Sequence, residues 1–194
     1  QLTAQAVVSR TTPMPLPWRA AGERARLAHF QDRAITISQL RELRHLLQRL
    51  CKTRLLRRTT EFARKNGTLG QCICWSEVNM YDISDEVIKP AILHLLRDQN
   101  HKCSWVELIA REPQPPTVMF SHWWGGCFRD FMHIVDAVAR DNHFSVNAGC
   151  WICTFALCQF GEDLGTCLMQ SPFRYALAAA SMLVLVVDRD GGSL

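Results

Sequence analysis

The chain predicts an α/β protein, a small parallel sheet flanked by helices and preceded by a basic helical extension. Short apolar runs at Thr117–Phe120, Cys150–Phe155 and Met182–Val187 alternate with stretches of helical period. That alternation is the pattern of a parallel sheet with right-handed crossovers. The runs are continuous, not alternating, as expected of strands covered on both faces. Charge is also uneven: 14 of the 22 Lys and Arg residues lie within residues 1–65, beside only four of the 18 acids. The formal net charge of +4 therefore hides a basic arm joined to an acidic body.

At 194 residues and 48% hydrophobic content, the chain suits one globular domain plus an extension, and wholesale disorder is excluded. The longest apolar run, Ala176 to Val187, is about half of the roughly 20 residues a membrane-spanning helix needs.

In chain order, the Pro cluster Thr12–Pro17 is expected to run extended. Thr36 with Gln39 fits a capping box, and Ile37, Leu40, Leu43, Leu47 and Leu50 follow at helical spacing. The opposite face carries Arg41, Arg44, Arg49, Lys52 and Arg54, with Arg57 and Arg58 just beyond. Such a face either meets an anionic surface or packs, solvated, on the acidic body. Asn66-Gly67 and Gly70 mark a loop.

A second helical stretch runs from Asp82 to Leu96, interrupted at Pro90 by a kink or a fresh helix start. Ser104–Ile109 fits strand or helix, and Pro113–Pro116 reads as a stiff connector. The expected organisation is a basic arm over residues 1–70, a helical segment and connector over 71–116, and an α/β unit over 117–194. Within that unit Phe128, Phe131, Met132, Val135 and Val138 form a helix face. Ser171-Pro172 caps a further helix before the last strand.

Ligands of open parallel sheets bind outside the carboxyl ends of the strands. Three segments are expected there: Ser121–Gly126, Leu157–Asp163 and Asp188–Gly192. In the first, Trp123 and Trp124 offer faces for a flat heterocycle, and Gly125 and Gly126 let backbone amides approach a phosphate. The same tryptophans could instead simply cover the sheet end as core. Cysteines are numerous and odd in number, nine in all. Cys150, Cys153, Cys158 and Cys167 have apolar or small neighbours, which points to thiols in a reducing, intracellular compartment. A zinc set drawn from Cys150, Cys153, Cys158 and His122 or His143 is disfavoured because Cys150 and Cys153 straddle an expected strand and would point to opposite faces. Cys72-x-Cys74 has the wrong spacing for a zinc knuckle. A Cys158–His122 nucleophilic pair lacks any group that would orient the base. The initial Gln and the Arg-containing first 30 residues fit a processed chain, a piece of a longer one, or the tail of an organelle-targeting region.

Val118–His122, the amphipathic helix after it, Trp151-Ile152, and Ser171–Leu177 leading into Leu183–Val187 together resemble the Toll/interleukin-1 receptor (TIR) fold. Trp151–Gln159 is also similar to a segment of the related heterokaryon-incompatibility domains. Tyr81-Asp82-Ile83, Val87–Pro90, Ser104–Leu108, Pro113–Pro116 and Ser121–Gly125 resemble a TIR-like family of algal protists, over roughly residues 75–192.

The resemblance implies either an interaction module or an enzyme that cleaves NAD. The corresponding nucleotide-facing residues would be Ser121, His122, Trp123, Trp124, Gly125 and Gln159. The catalytic forms carry a glutamate on a helix beyond the strand matching Met182–Val187, and this chain reaches Leu194 without one. Glu162 stands in a different loop, and Cys153 replaces the aspartate of the fungal type. The expectation is therefore a non-catalytic accessory or structural subunit, bound to protein partners or another anionic surface through its arm. A plastid, a mitochondrion or a photosynthetic assembly would suit the resemblance. The alternative is the nucleotide-binding part of an NAD glycohydrolase. Nucleic-acid binding through Arg41–Arg64 is disfavoured, because few aromatics interleave with those arginines.

Overall fold

The computed structural model of the chain describes residues 27–95, 103–161, 164 and 167–187. The expected Pro-cluster extension, the targeting region, Glu162, Asp163 and the Asp188–Gly192 turn lie outside the described residues.

The first regular element after a single 3-10 turn at Phe30–Asp32 is the two-residue strand β1, Ile35–Thr36, which runs straight into helix α1, Ile37–Lys52. The expected capping box is present. The Thr36 hydroxyl accepts the Gln39 backbone N–H at 3.2 Å, and the Gln39 side chain accepts the Thr36 N–H at 2.9 Å. Ile37, Leu40, Leu43, Leu47 and Leu50 are all buried, each contributing about 2 kcal/mol of burial. A short helix α2, Glu61–Lys65, follows, and Gly67 and Gly70 take the positive φ that its loop requires.

Asn79 caps α3, Met80–Ile83, which continues through a π-helical turn at Ser84–Ile88 into α4, Lys89–Leu95. Pro90 has no N–H to give and its ring crowds the preceding turn. The wide π turn lies just ahead of it, so the helix continues. Ser104–Ile109 resolves as helix: Ser104 and Glu107 form a capping box at the start of α5, Trp105–Ile109.

Beyond the connector come β2 (Val118–His122), α6 (Phe128–Asp141), β3 (Gly149–Trp151), α7 (Cys153–Ala156), α8 (Pro172–Ala179) and β4 (Met182–Val186). The sheet order is β1-β3-β2-β4. β3 and β4 both pair parallel to β2, and β1 joins β3 antiparallel. The three parallel strands thus lie second-first-third in chain order, as in the first half of a flavodoxin-like sheet.

Each sheet face has its own cover. Val118, Phe120 and Cys150 enter the main core with residues of α1, α3 and α6, so all three sequence segments meet in one cluster. Met119 and Trp151 stand on the other face with Ala156, Leu157 and Ala176 of the α7–α8 region.

Two strand expectations need correction. The apolar run Cys150–Phe155 is not one strand, for β3 ends at Trp151 and Cys153–Ala156 is helical. Gln159 accounts for this locally: its amide donates to the Cys153, Thr154 and Leu157 carbonyls, groups a strand would share with a neighbour. Nor is Met182–Val187 buried on both faces. Met182, Val184 and Val186 are half-buried, whereas Leu183, Leu185 and Val187 are exposed, because β4 is the outermost strand among the described residues.

Candidate functional site

A cleft of about 680 Å³ opens at the carboxyl end of β2, between β4 and the start of α6. His122, Trp123, Arg129, Asp130, Phe131 and His133 are among its lining residues. Strand alternation sets the parts: Phe120 and His122 share the α6 face, while Ser121 points to the opposite, exposed face beside Leu185. The structure therefore separates Ser121 from His122, although they are adjacent in sequence.

His122 packs against Phe131, with ring centroids 5.1 Å apart. Neither of its ring nitrogens makes a well-formed hydrogen bond among the described residues. Burial lowers its pKa to about 4, and the Phe120 backbone offsets this only slightly. The imidazole is neutral at pH 7, with neither nitrogen well paired among the described residues. Removing such groups from water without full compensation costs free energy, and both nitrogens lie beneath the surface, so the imidazole helps to wall the cleft and does not present its nitrogens to it.

Trp123 is 51% exposed at the rim and folds back over Gly125, where a Cβ would overlap the indole. Gly126 donates its N–H to the Trp123 carbonyl at 3.1 Å. Both glycines are thus accounted for by the way the tryptophan turns. Trp124 lies deeper, with its ring 5.3 Å from that of Tyr81 and its indole N–H directed at Cys153 Sγ at 3.3 Å. Gln159 spends its amide on backbone carbonyls, as described.

Sequence reading passed over Arg129, Asp130 and His133. Arg129 and His133 are spaced i, i+4, which places both on one face of α6, and that spacing was the available signal. The Arg129 guanidinium is tied to its neighbour Asp130 at 2.9 Å, in an exposed pair. Cys127 gives α6 no side-chain cap. The Phe128 and Asp130 amides donate to the Val78 and Cys127 carbonyls, which limits what the helix start can offer an anion.

No hydrogen bond joins His122 to Cys158. Burial pushes the Cys150 thiol up to about 12 and raises that of Cys153, so neither is a thiolate at neutral pH. Among the described residues, no three His, Cys, Asp or Glu side chains are gathered to hold a metal ion. Nor is any helix among them long and apolar enough to cross a membrane.

The basic face divides. Arg41 and Arg44 both reach Asp136 of α6, at 2.7 and 2.8 Å. Burial alone would raise the Asp136 pKa, but hydrogen bonds from the two guanidiniums outweigh it and leave it lowered. Arg58 pairs with the buried Asp82 at 3.3 Å, and Arg57 donates to the Gly70 carbonyl at 2.8 Å. Arg49, Lys52 and Arg54 are exposed at the far end of α1 and make no ion pair among the described residues. The face is thus part internal strut and part open cation cluster. Compared with protein-family models, with curated proteins and with solved structures, the chain finds no match in any of the three.

Proposed function

We propose that the chain is a non-catalytic, TIR-like interaction module, an accessory or structural subunit of a larger intracellular assembly. The observation that carries this reading is the cation cluster Arg49, Lys52 and Arg54, exposed and without ion pairs among the described residues. Arg41 and Arg44 anchor the same helix to the body through Asp136, so Arg49 and Lys52 are held on a rigid element, with Arg54 in the turn just after it. A rigid positive patch suits an acidic protein surface, where complementary charge governs approach and orientation. The second-first-third order of the parallel strands supports the TIR-like part of the reading. Thiols at Cys51, Cys72, Cys74, Cys127, Cys150 and Cys153 suit a reducing compartment, including a plastid or mitochondrial interior.

The test is size-exclusion chromatography of the native protein from its own source, beside a variant combining Arg49→Glu, Lys52→Glu and Arg54→Glu. The expected result is elution of the native chain well above its 22.1 kDa, and elution of the variant alone. A native chain that elutes unaccompanied, or a variant that stays in the assembly, overturns the proposal.

The cleft beside His122 favours a second reading, the nucleotide-binding part of an NAD glycohydrolase. Its support is the exposed Trp123 face at the rim of that cleft. Asp130 is the carboxylate among its lining residues, and it is exposed and paired with Arg129. Nicotinamide release from NAD by the purified chain would replace the first reading with this one.

A further inference from the structure

We propose that the loop over residues 57–71 is a lobe that docks on an anionic lipid surface. Phe62 and Leu69 enter the acyl boundary, and Arg57, Arg64 and Lys65 meet the headgroups. This goes beyond the interaction-module reading and rests on residues other than Arg49, Lys52 and Arg54.

The lobe is a closed unit held firmly to the body. The Arg58 N–H donates to the Gln71 carbonyl at 3.1 Å and the Gly70 N–H to the Arg58 carbonyl at 2.8 Å, so its ends meet. At its base the Glu86 carboxylate accepts the Thr59 N–H and hydroxyl, each at 2.6 Å, and Arg58 reaches Asp82. Ala63 is its buried foot. Compact surface loops with joined ends are frequently functional.

What the lobe turns outward is apolar and basic at once. Phe62 is 74% exposed, more than any other large hydrophobic residue described, and Leu69 is 47% exposed. Arg57, Arg64 and Lys65 are exposed with them. Arg57 donates to the Gly70 carbonyl at 2.8 Å, which brings its guanidinium next to the chain at Leu69. Glu61 is the acid of the lobe, and it pairs with Arg64 at the open surface, where such a pair is weak. Residues 1–26 hold four arginines and one glutamate, so laying them over the lobe would set like charges together.

The order of these parts selects a lipid surface. The space around Gly67 and Gly70 is open, so the loop projects outward. A protein partner would need a pocket fitted to Phe62 with acids placed around it for three flexible cations. An anionic bilayer supplies both without any fitting. Its interface takes apolar side chains to a depth of about 5–10 Å, and its headgroups lie at the level that arginine and lysine reach with their stems in the apolar layer. Each cation near such a surface strengthens binding roughly fivefold. Two apolar residues and three cations make a weak, reversible contact, comparable with the affinity of about 10⁴ M⁻¹ that one myristoyl chain confers.

Co-sedimentation of the full chain with phosphatidylcholine vesicles containing about 30% phosphatidylserine, beside vesicles of phosphatidylcholine alone, tests the assignment. The expected result is binding to the anionic vesicles that is at least about tenfold the stronger and weakens as salt rises. Phe62→Ala should weaken it roughly fivefold. Phe62→Trp should bind at least as tightly as wild type, because the bilayer interface favours tryptophan, whereas a protein pocket fitted to phenylalanine would be overpacked. Lys65→Glu should cost about fivefold or more. All three substitutions lie at exposed positions, and thermal unfolding confirms that the variants fold. No binding to either vesicle, equal binding to both, or a Phe62→Ala variant that binds as wild type does overturns the proposal. So does a Phe62→Ala variant that leaves its protein assembly on size exclusion, which would give the lobe to a protein surface. Loss of the assembly in the Arg49, Lys52 and Arg54 reversal is a separate readout, so failure of the lobe and failure of the basic docking site are distinguished.

Discussion

β1 and β4 bound the same sheet on its two sides, and they are built on opposite plans. β1 is two residues long, and Ile35 has no exposed surface. Thr36 stops being strand by becoming the cap of α1, and the Ile37 and Ser38 amides then donate to the Ala148 and Val146 carbonyls. Those bonds extend the pairing with β3. The other side of the chain just before β1 is covered by the connector, where the Ala34 N–H donates to the Gln114 carbonyl and the Gln114 N–H to the Asp32 carbonyl. β4 is five residues long, ends in no cap among the described residues, and leaves one apolar row outside. The difference shows that an edge is closed by the backbone laid against it, more than by strand composition.

Breaking the closed side should cost the most. Ile35→Asp places a carboxylate where no water reaches, opposite Cys150, and is expected to cost more than about 4 kcal/mol, enough to unfold a domain of ordinary stability. Urea denaturation should show no cooperative transition for this variant. A two-state transition near the wild-type midpoint would mean that β1 is not integral to the sheet.

Next in size is a proton effect on the open side. His122 is held neutral, with its pKa lowered to about 4 from an ordinary 6.5. The unfolded chain takes up a proton near pH 6.5, whereas the folded chain does so only near pH 4. The stability that accompanies a neutral His122 is whole above pH 6.5, is lost progressively between 6.5 and 4, and changes no further below. That window corresponds to roughly 3 kcal/mol. His122→Phe should remove this part of the acid slope, measured as unfolding free energy from pH 7 to 4. An unchanged slope would show that the imidazole titrates in water.

Gly149 at the closed edge comes third. A Cβ there would overlap the Pro115 carbonyl oxygen and meet Ala34 Cβ at 3.0 Å, and neither neighbour is a flexible side chain. Gly149→Ala should cost about 1–3 kcal/mol by overpacking. Gly125→Ala is the control. There the added methyl meets the rim indole of Trp123, which can swing away, so fluorescence should change more than the urea midpoint does. A fourth, smaller loss follows from Thr36→Ala, about 1 kcal/mol for the lost cap, read from the same urea curves.

The closed side was legible in sequence only in part. Thr36 and Gln39 announced α1, because a capping box is a local device with its own spacing. β1 was invisible, since two residues carry no period and their pairing with Gly149–Cys150 joins residues far apart in the chain. The open side was legible as strand but not as edge. A continuous apolar run says nothing of whether both neighbours exist, and Leu183 reads the same as Met119. The site divided likewise. The aromatic-glycine motif was plain, whereas the separation of Ser121 from His122 follows from strand alternation and the approach of α6 depends on tertiary packing. Arg41 and Arg44 looked the same as Arg49 until Asp136 was placed beneath them.

The smallest expected effect lies on the open row itself. Leu185 is 61% exposed, so only about two fifths of its side-chain burial is realised in the monomer. Since full burial of a leucine is worth about 1.5–3 kcal/mol, the share at stake is roughly 1 kcal/mol or less. Threonine recovers part of that through its preference for extended backbone. Leu185→Thr should therefore lower the unfolding free energy by about 0.5 kcal/mol in dilute solution. The measurement is the urea midpoint of wild type and variant side by side. A loss well above about 1 kcal/mol would show that Leu185 is buried against something that covers β4 in solution, and would make the open side more like the closed one.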